Sequence, residues 1–127
     1  MEDIKNIFIK KKILIYGLGK SGLSSYYFLK KKNNLYLYDD DRKVVKDKKI
    51  KKIFIRPENI FKNNFDFIVI SPGININKCS LKNFLKKNLK KIITDLDIFY
   101  SHYFENRNIA ITGTNGKSTT AKILFDI

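Results

Sequence analysis

The sequence is poor in cysteine, histidine, arginine and acid, and it holds no long apolar run. Cys79 is the single cysteine of 127 residues. It forbids an intrachain disulfide and fits a reducing compartment, so the chain is expected in the cytoplasm. Neither neighbour, Lys78 or Ser80, is an ordinary general base, and Cys79 is read as a small loop or helix residue rather than a nucleophile. No stretch approaches the roughly 18 apolar residues of a membrane-spanning helix, and no membrane partner is expected. Residues 1–12 lack the succession of basic, apolar and small-residue regions that marks a signal peptide. The one histidine, His102, lies on an expected helix with Tyr100 and Tyr103, which suits surface or packing duty better than catalysis.

Arginine occurs only at Arg42, Arg56 and Arg107, so the formal charge of +14 rests almost wholly on lysine. Such a charge raises nucleic acid as a partner. The lysines, however, fall in dispersed clusters at residues 10–12, 30–32, 46–52 and 86–91, with no aromatic-rich recognition motif beside them. They are read as solvated faces, and no nucleic-acid partner is expected.

What is present is enough apolar content, 43%, for the core of one ordinary domain. Residues 12–16, 35–38, 52–55, 67–70 and 91–93 are short apolar runs expected as strands. Residues 21–31, 80–88 and 95–103 are expected as helices, the first turning Leu23, Tyr27 and Phe28 toward the sheet. Short apolar strands separated by helices predict an α/β fold, a Rossmann-like parallel sheet with helices on both faces. This domain is expected over residues 1–104. Polar Glu105-Asn106-Arg107-Asn108 then marks a boundary to a second α/β unit, residues 105–127. There, residues 108–112 are expected as a buried strand and 118–127 as a helix carrying Ala121, Ile123, Leu124 and Ile127 on one side.

Two glycine-rich loops follow expected strands. In Gly17-Leu18-Gly19-Lys20-Ser21-Gly22, the first glycine permits a tight turn, the second lets a pyrophosphate approach the backbone, and the third allows close helix packing. Asp39, 17 residues beyond Gly22, sits where an acid accepts hydrogen bonds from a ribose. The motif is compatible with a nicotinamide dinucleotide, a flavin or a nucleotide such as UDP, and equally with packing alone; Asp39 to Asp41 read as no more than an acidic turn on the plainer view. Ser71-Pro72-Gly73-Ile74 leaves another strand at the same edge of the sheet, where open parallel sheets bind ligands.

The other loop is Gly113-Thr114-Asn115-Gly116-Lys117-Ser118-Thr119. Between a strand and a helix, such a turn aims backbone N–H groups at a phosphate, and the helix N-terminus adds positive charge. Lys117 is placed to neutralise β- and γ-phosphates, and the Ser118 or Thr119 hydroxyl offers a hard oxygen to Mg²⁺. The general phosphate-loop pattern wants glycine where the chain has Ile111, so the loop is a shorter variant. The plainer alternative is a glycine turn with a solvated lysine.

Taken together, Gly17 to Ser24, Ser71 to Ile74 and Gly113 to Thr119 resemble the Mur ligase family of peptidoglycan synthesis. Asp95-Leu96-Asp97-Ile98-Phe99 is similar to the segment preceding that family's central domain. The alanine-adding members usually carry histidine in place of Asn115, and the later-acting ones open with a different N-terminal domain. The likeness is therefore nearest the branch that adds D-glutamate.

The resemblance implies an ATP-dependent ligase that joins D-glutamate to UDP-N-acetylmuramoyl-L-alanine in the cytoplasm, as a monomer serving cell wall biogenesis, cell shape and cell division. UDP binding would fall to Gly17, Gly19, Lys20, Ser21 and Gly22, to Asp39 and Asp40, and to Ser71, Pro72 and Gly73; Arg42 is a possible counterpart of a family arginine. ATP would be held by Gly113, Thr114, Asn115, Gly116, Lys117, Ser118 and Thr119, with Lys117 catalytic and Ser118 or Thr119 at Mg²⁺. The family's magnesium-binding glutamate and histidine, modified lysine and D-glutamate domain have no counterpart in residues 1–127, so this chain alone is expected to lack ligase activity. Two other functions remain open from the residues: an NAD-dependent oxidoreductase domain using Asp39 on the ribose, and a non-catalytic UDP-nucleotide-binding module.

Overall fold

In a strand buried on both faces, successive side chains enter opposite cores. The computed structural model, which describes residues 7–127, shows this in β1 (Lys12–Tyr16). Ile13 and Ile15 join one apolar cluster, while Leu14 and Tyr16 join the other. β2 (Asn34–Tyr38), β3 (Phe67–Ile70) and β4 (Ile92–Ile93) complete a four-stranded, all-parallel sheet in the order β2-β1-β3-β4. The fold is Rossmann-like α/β.

Helices cover both faces. α1 (Lys20–Leu29) and α5 (Asp95–His102) lie on the Ile13 side, which also receives loop residue Val45 and Ile50 of α2 (Lys48–Lys51). α3 (Pro57–Lys62) and α4 (Lys82–Lys87) bring Ile60, Phe84 and Leu85 to the Leu14 side. α5 starts with a capping box: Thr94 Oγ1 accepts from the Asp97 N–H at 3.4 Å, and the Thr94 N–H donates to the Asp97 carboxylate at 2.7 Å. A 3₁₀ turn, Leu89–Lys91, leads into β4, and α6 (Lys117–Asp126) follows the second glycine loop.

Three sequence expectations are corrected. Residues 52–55 do not form a strand; Phe54 makes an isolated parallel bridge to Leu37, held by the Ile55 N–H on the Leu37 carbonyl at 2.9 Å. Asp47 caps α2 through the Lys49 N–H and draws residues 48–51 into a helix, the turn that ends α2 takes up Lys52 and Ile53, and Pro57 opens α3, so only residues 54–56 are left outside turn and helix. On α1 the sheet-facing residues are Tyr26 and Leu29, with Leu23 partly buried against them, whereas Tyr27 and Phe28 are half exposed. The Phe28 ring instead meets His102 edge-on at 5.0 Å, and His102 is a packing residue at the surface. Finally, residues 108–112 carry no regular secondary structure, and Ile109 is 73% exposed. A strand needs a partner for its backbone groups, and no strand among the described residues pairs with these. No helix of the described residues is long and apolar enough to cross a membrane.

Candidate functional site

The chain leaves β1 toward β2 on one side and later returns to place β3 on the other. The strand order therefore reverses between β1 and β3, and ligands of open parallel sheets bind at the carboxyl ends of such strands. Two of the glycine segments singled out from the sequence meet there.

Gly17 follows β1 with φ of +88°, in the left-handed region open to glycine. A Cβ on it would stand 2.8 Å from Ser71 Cβ, so the two loops touch with no room for a side chain. Ser71 is fixed on β1 twice: its N–H donates to the Tyr16 carbonyl at 3.0 Å and its hydroxyl to the Gly17 carbonyl at 2.7 Å. Gly22 is closer still, since a Cβ there would lie 1.8 Å from the Gly17 carbonyl oxygen. The expected roles of these two glycines, turn and close packing, are met by this geometry.

Gly19 and Lys20 are exposed, and Ser21, next on α1, is half-buried. Nothing lies within 4 Å of a Cβ built on Gly19, which stands at the N-cap of α1 without a side-chain cap. The first N–H groups of a helix have no intrahelical partner, and the helix dipole adds positive potential there. Gly19, Lys20, Pro72 and Gly73 are exposed, and the Ile74 N–H closes a turn on the Ser71 carbonyl at 3.0 Å. The arrangement presents backbone donors, one free lysine and an open floor to an anion.

The aspartates behave differently. Asp39 turns inward on the glycine loop: one carboxylate oxygen accepts from the Leu18 N–H at 2.6 Å and the other from the Asp41 N–H at 2.8 Å. Asp40 accepts from the Tyr16 hydroxyl at 2.6 Å and from the Ser80 hydroxyl, and Ser80 lies 3.0 Å from the Tyr38 hydroxyl. Burial, followed by the hydrogen bond to Asp40, pushes the Tyr16 hydroxyl far above the ordinary tyrosine value. Burial raises Tyr38 too. For Asp40 burial acts upward, but the hydrogen bonds from Ser80 and Tyr16 outweigh it and hold the carboxyl below its usual value. Tyr16, Tyr38 and Ser80 had not been singled out in the sequence. The signal was a tyrosine closing each of two strands, Tyr16 and Tyr38, which the register pairs directly.

The segment from Gly113 to Thr119 stands apart. Gly113 and Gly116 take φ of +147° and +75°, and Gly116 is the N-cap of α6, again without a side-chain cap. Lys117 bends back so that its ammonium donates to the Gly113 carbonyl at 2.6 Å. Ser118 and Thr119 are exposed on the first turn of α6, and no residue of that helix is buried. Among the described residues no group of three His, Cys, Asp or Glu side chains converges to hold a metal. Clefts between α1 and α5 and beside Phe8 gather aromatic side chains and none of the candidate residues.

Comparison with known proteins bears on this arrangement. The family model described as Mur ligase MurD-like, N-terminal domain, matches residues 11–93. The UDP-N-acetylmuramoylalanine--D-glutamate ligase of Rickettsia prowazekii (strain Madrid E) is 37% identical over 125 residues, which cover 96% of this chain and 28% of that protein. Its counterpart in Caldicellulosiruptor saccharolyticus is 32% identical over 127 residues, 92% of this chain and 28% of that one. The Buchnera aphidicola subsp. Baizongia pistaciae protein of the same name is 37% identical over 131 residues, 94% of this chain and 28% of its own. The chain thus spans 28% of the length of each of these relatives. No solved structure matches it.

Proposed function

The chain belongs to the Mur ligase family through its MurD-like N-terminal domain, and from that premise we propose that residues 1–104 bind UDP-N-acetylmuramoyl-L-alanine for an ATP-dependent ligase that adds D-glutamate. The observation that carries this is the junction of the two loops at the switch point, with the N-terminus of α1 open between them. A diphosphate seated on the N–H groups of Lys20, Ser21 and Gly22 gains the helix field and the Lys20 charge. Gly19 lets it approach the backbone, and Ser71, Pro72 and Gly73 form the facing wall. Asp39 acts from behind by holding Leu18 in place. Asp40 serves through its two hydroxyl donors, Tyr16 and Ser80, more than by direct contact.

Residues 105–127 form the ATP-binding segment in this proposal. Gly113 and Gly116 shape the cradle, Thr114 and Asn115 form its tip, and the N–H groups of Lys117, Ser118 and Thr119 have no partner within α6. Lys117 exchanges the Gly113 carbonyl for phosphate oxygens and neutralises their charge. The Ser118 or Thr119 hydroxyl is the protein oxygen offered to Mg²⁺. Bound ATP with Mg²⁺ would supply the phosphoryl group that activates the alanyl carboxylate, with ADP leaving, so that the amine of D-glutamate could displace phosphate. The setting is a cytoplasmic monomer in cell wall construction, on which cell shape and division depend.

Isothermal titration tests the proposal. UDP-N-acetylmuramoyl-L-alanine is expected to bind and NADH is not. Binding of NADH with no response to the UDP compound would instead establish an oxidoreductase-type dinucleotide domain.

A further inference from the structure

The wall of the crevice, residues 71–80, is held at both ends. Ser71 is tied to Gly17, and Ser80 is tied to Asp40, which also receives the Tyr16 hydroxyl. Tyr16 and Tyr38 are buried in the core and project only their hydroxyls to this corner, whereas Asp40 and Ser80 are exposed. A charged acceptor with two donors, backed by a third hydroxyl at 3.0 Å from Ser80, joins the ends of β1 and β2 to the start of the helix that follows the wall. Leu81, next in the chain, is fully buried, but apolar contact has no direction. The hydrogen bonds to Ser80 do, and they orient the last turn of the wall.

We propose that Ser80, clasped by Asp40 with Tyr16 and Tyr38, is a positioning residue that sets the placement of residues 72–79 against the glycine loop. The clasp is a property of the fold itself; only its effect on ligand affinity rests on the crevice being the nucleotide site.

Hydrogen exchange read at single amides is the decisive measurement. The N–H groups of Ile74, Asn77, Lys78 and Cys79 all donate within the wall, to Ser71 or Asn75. Ser80→Ala is expected to speed their exchange about tenfold, the loss of one charge-assisted bond, and to leave β1 and β3 amides unchanged. Ser80→Thr, which keeps the hydroxyl, is expected to exchange like the parent. Unchanged exchange at all four amides in Ser80→Ala overturns the proposal, as does acceleration that Ser80→Thr fails to prevent. The second arm titrates UDP-N-acetylmuramoyl-L-alanine into each variant: about a tenfold loss of affinity for Ser80→Ala and none for Ser80→Thr supports the clasp, and equal affinities refute its bearing on the site. A parent chain that binds no UDP compound would sink the proposed function while the exchange result still decides the clasp.

Discussion

The Ser71 hydroxyl donates to the Gly17 carbonyl at 2.7 Å and so fastens together the two loops that leave β1 and β3. Both residues were recognisable as loop residues, but their bond follows from the parallel β1–β3 pairing. Tyr16 lies beside Ile70 in the register, which brings the next residues, Gly17 and Ser71, face to face.

Ser71→Ala keeps the Cβ that fills this junction and removes the donor. The Gly17 carbonyl loses that partner in a buried position, at a cost of about 1 to 2 kcal/mol. Urea unfolding should show that loss with an unchanged denaturant slope, and the UDP compound should bind more weakly. Unaltered stability would show that solvent replaces the bond.

The glycines of the first loop should separate by role. Gly22→Ala drives a methyl to 1.8 Å from the Gly17 carbonyl oxygen, and the fold should lose at least about 3 kcal/mol. Gly19→Ala meets nothing, so stability should change by no more than about 1 kcal/mol. Its effect should appear in ligand affinity instead. Equal unfolding midpoints for the two variants would contradict the packing role of Gly22.

Much of the sheet was legible because strands buried on both faces read as unbroken apolar runs: residues 12–16 and 67–70 agree with β1 and β3 to the residue. Where neighbours decide, the pattern misled. Residues 52–55 looked like a strand, yet the Asp47 cap and Pro57 determine their fate. Tyr27 and Phe28 looked like core, yet α1 turns Tyr26 and Leu29 inward. At the site, Gly17 announced its left-handed turn and Gly22 its close packing. The hydroxyl cluster at Asp40 did not, since Tyr16, Tyr38 and Ser80 are far apart in sequence and meet only through sheet register and the return of the wall.

Alkaline pH should weaken the fold through the buried tyrosines. An unfolded tyrosine loses its proton near pH 10, while the folded Tyr16 and Tyr38 values lie higher. The native state then holds more protons, so stability present below about pH 10 is lost as pH rises, by up to about 1.4 kcal/mol per pH unit for each tyrosine. Tyr16→Phe should make that slope shallower by one group's share, as read from urea unfolding at successive pH values. Asp40 acts with opposite sense: its stabilisation is present above the ordinary carboxylate value and is lost as pH falls through its lowered one. Asp40→Asn should flatten the acid limb.

Lys117→Ala should leave the melting temperature and UDP affinity of the chain unchanged, because the side chain is exposed and its helix buries nothing. ATP affinity should fall about tenfold or more with the loss of a charged donor. ATP binding equal to the parent's would remove Lys117 from the nucleotide site.

Gly17 and Ser71 lie 54 positions apart along the chain. The crevice between them therefore has no precursor in the local β1–α1–β2 unit and comes into being only when β3 docks on β1, the pairing with the longer loop to close. In a refolding experiment, recognition of the nucleotide should emerge together with that distant docking, so that binding competence serves as a clock for completion of the sheet.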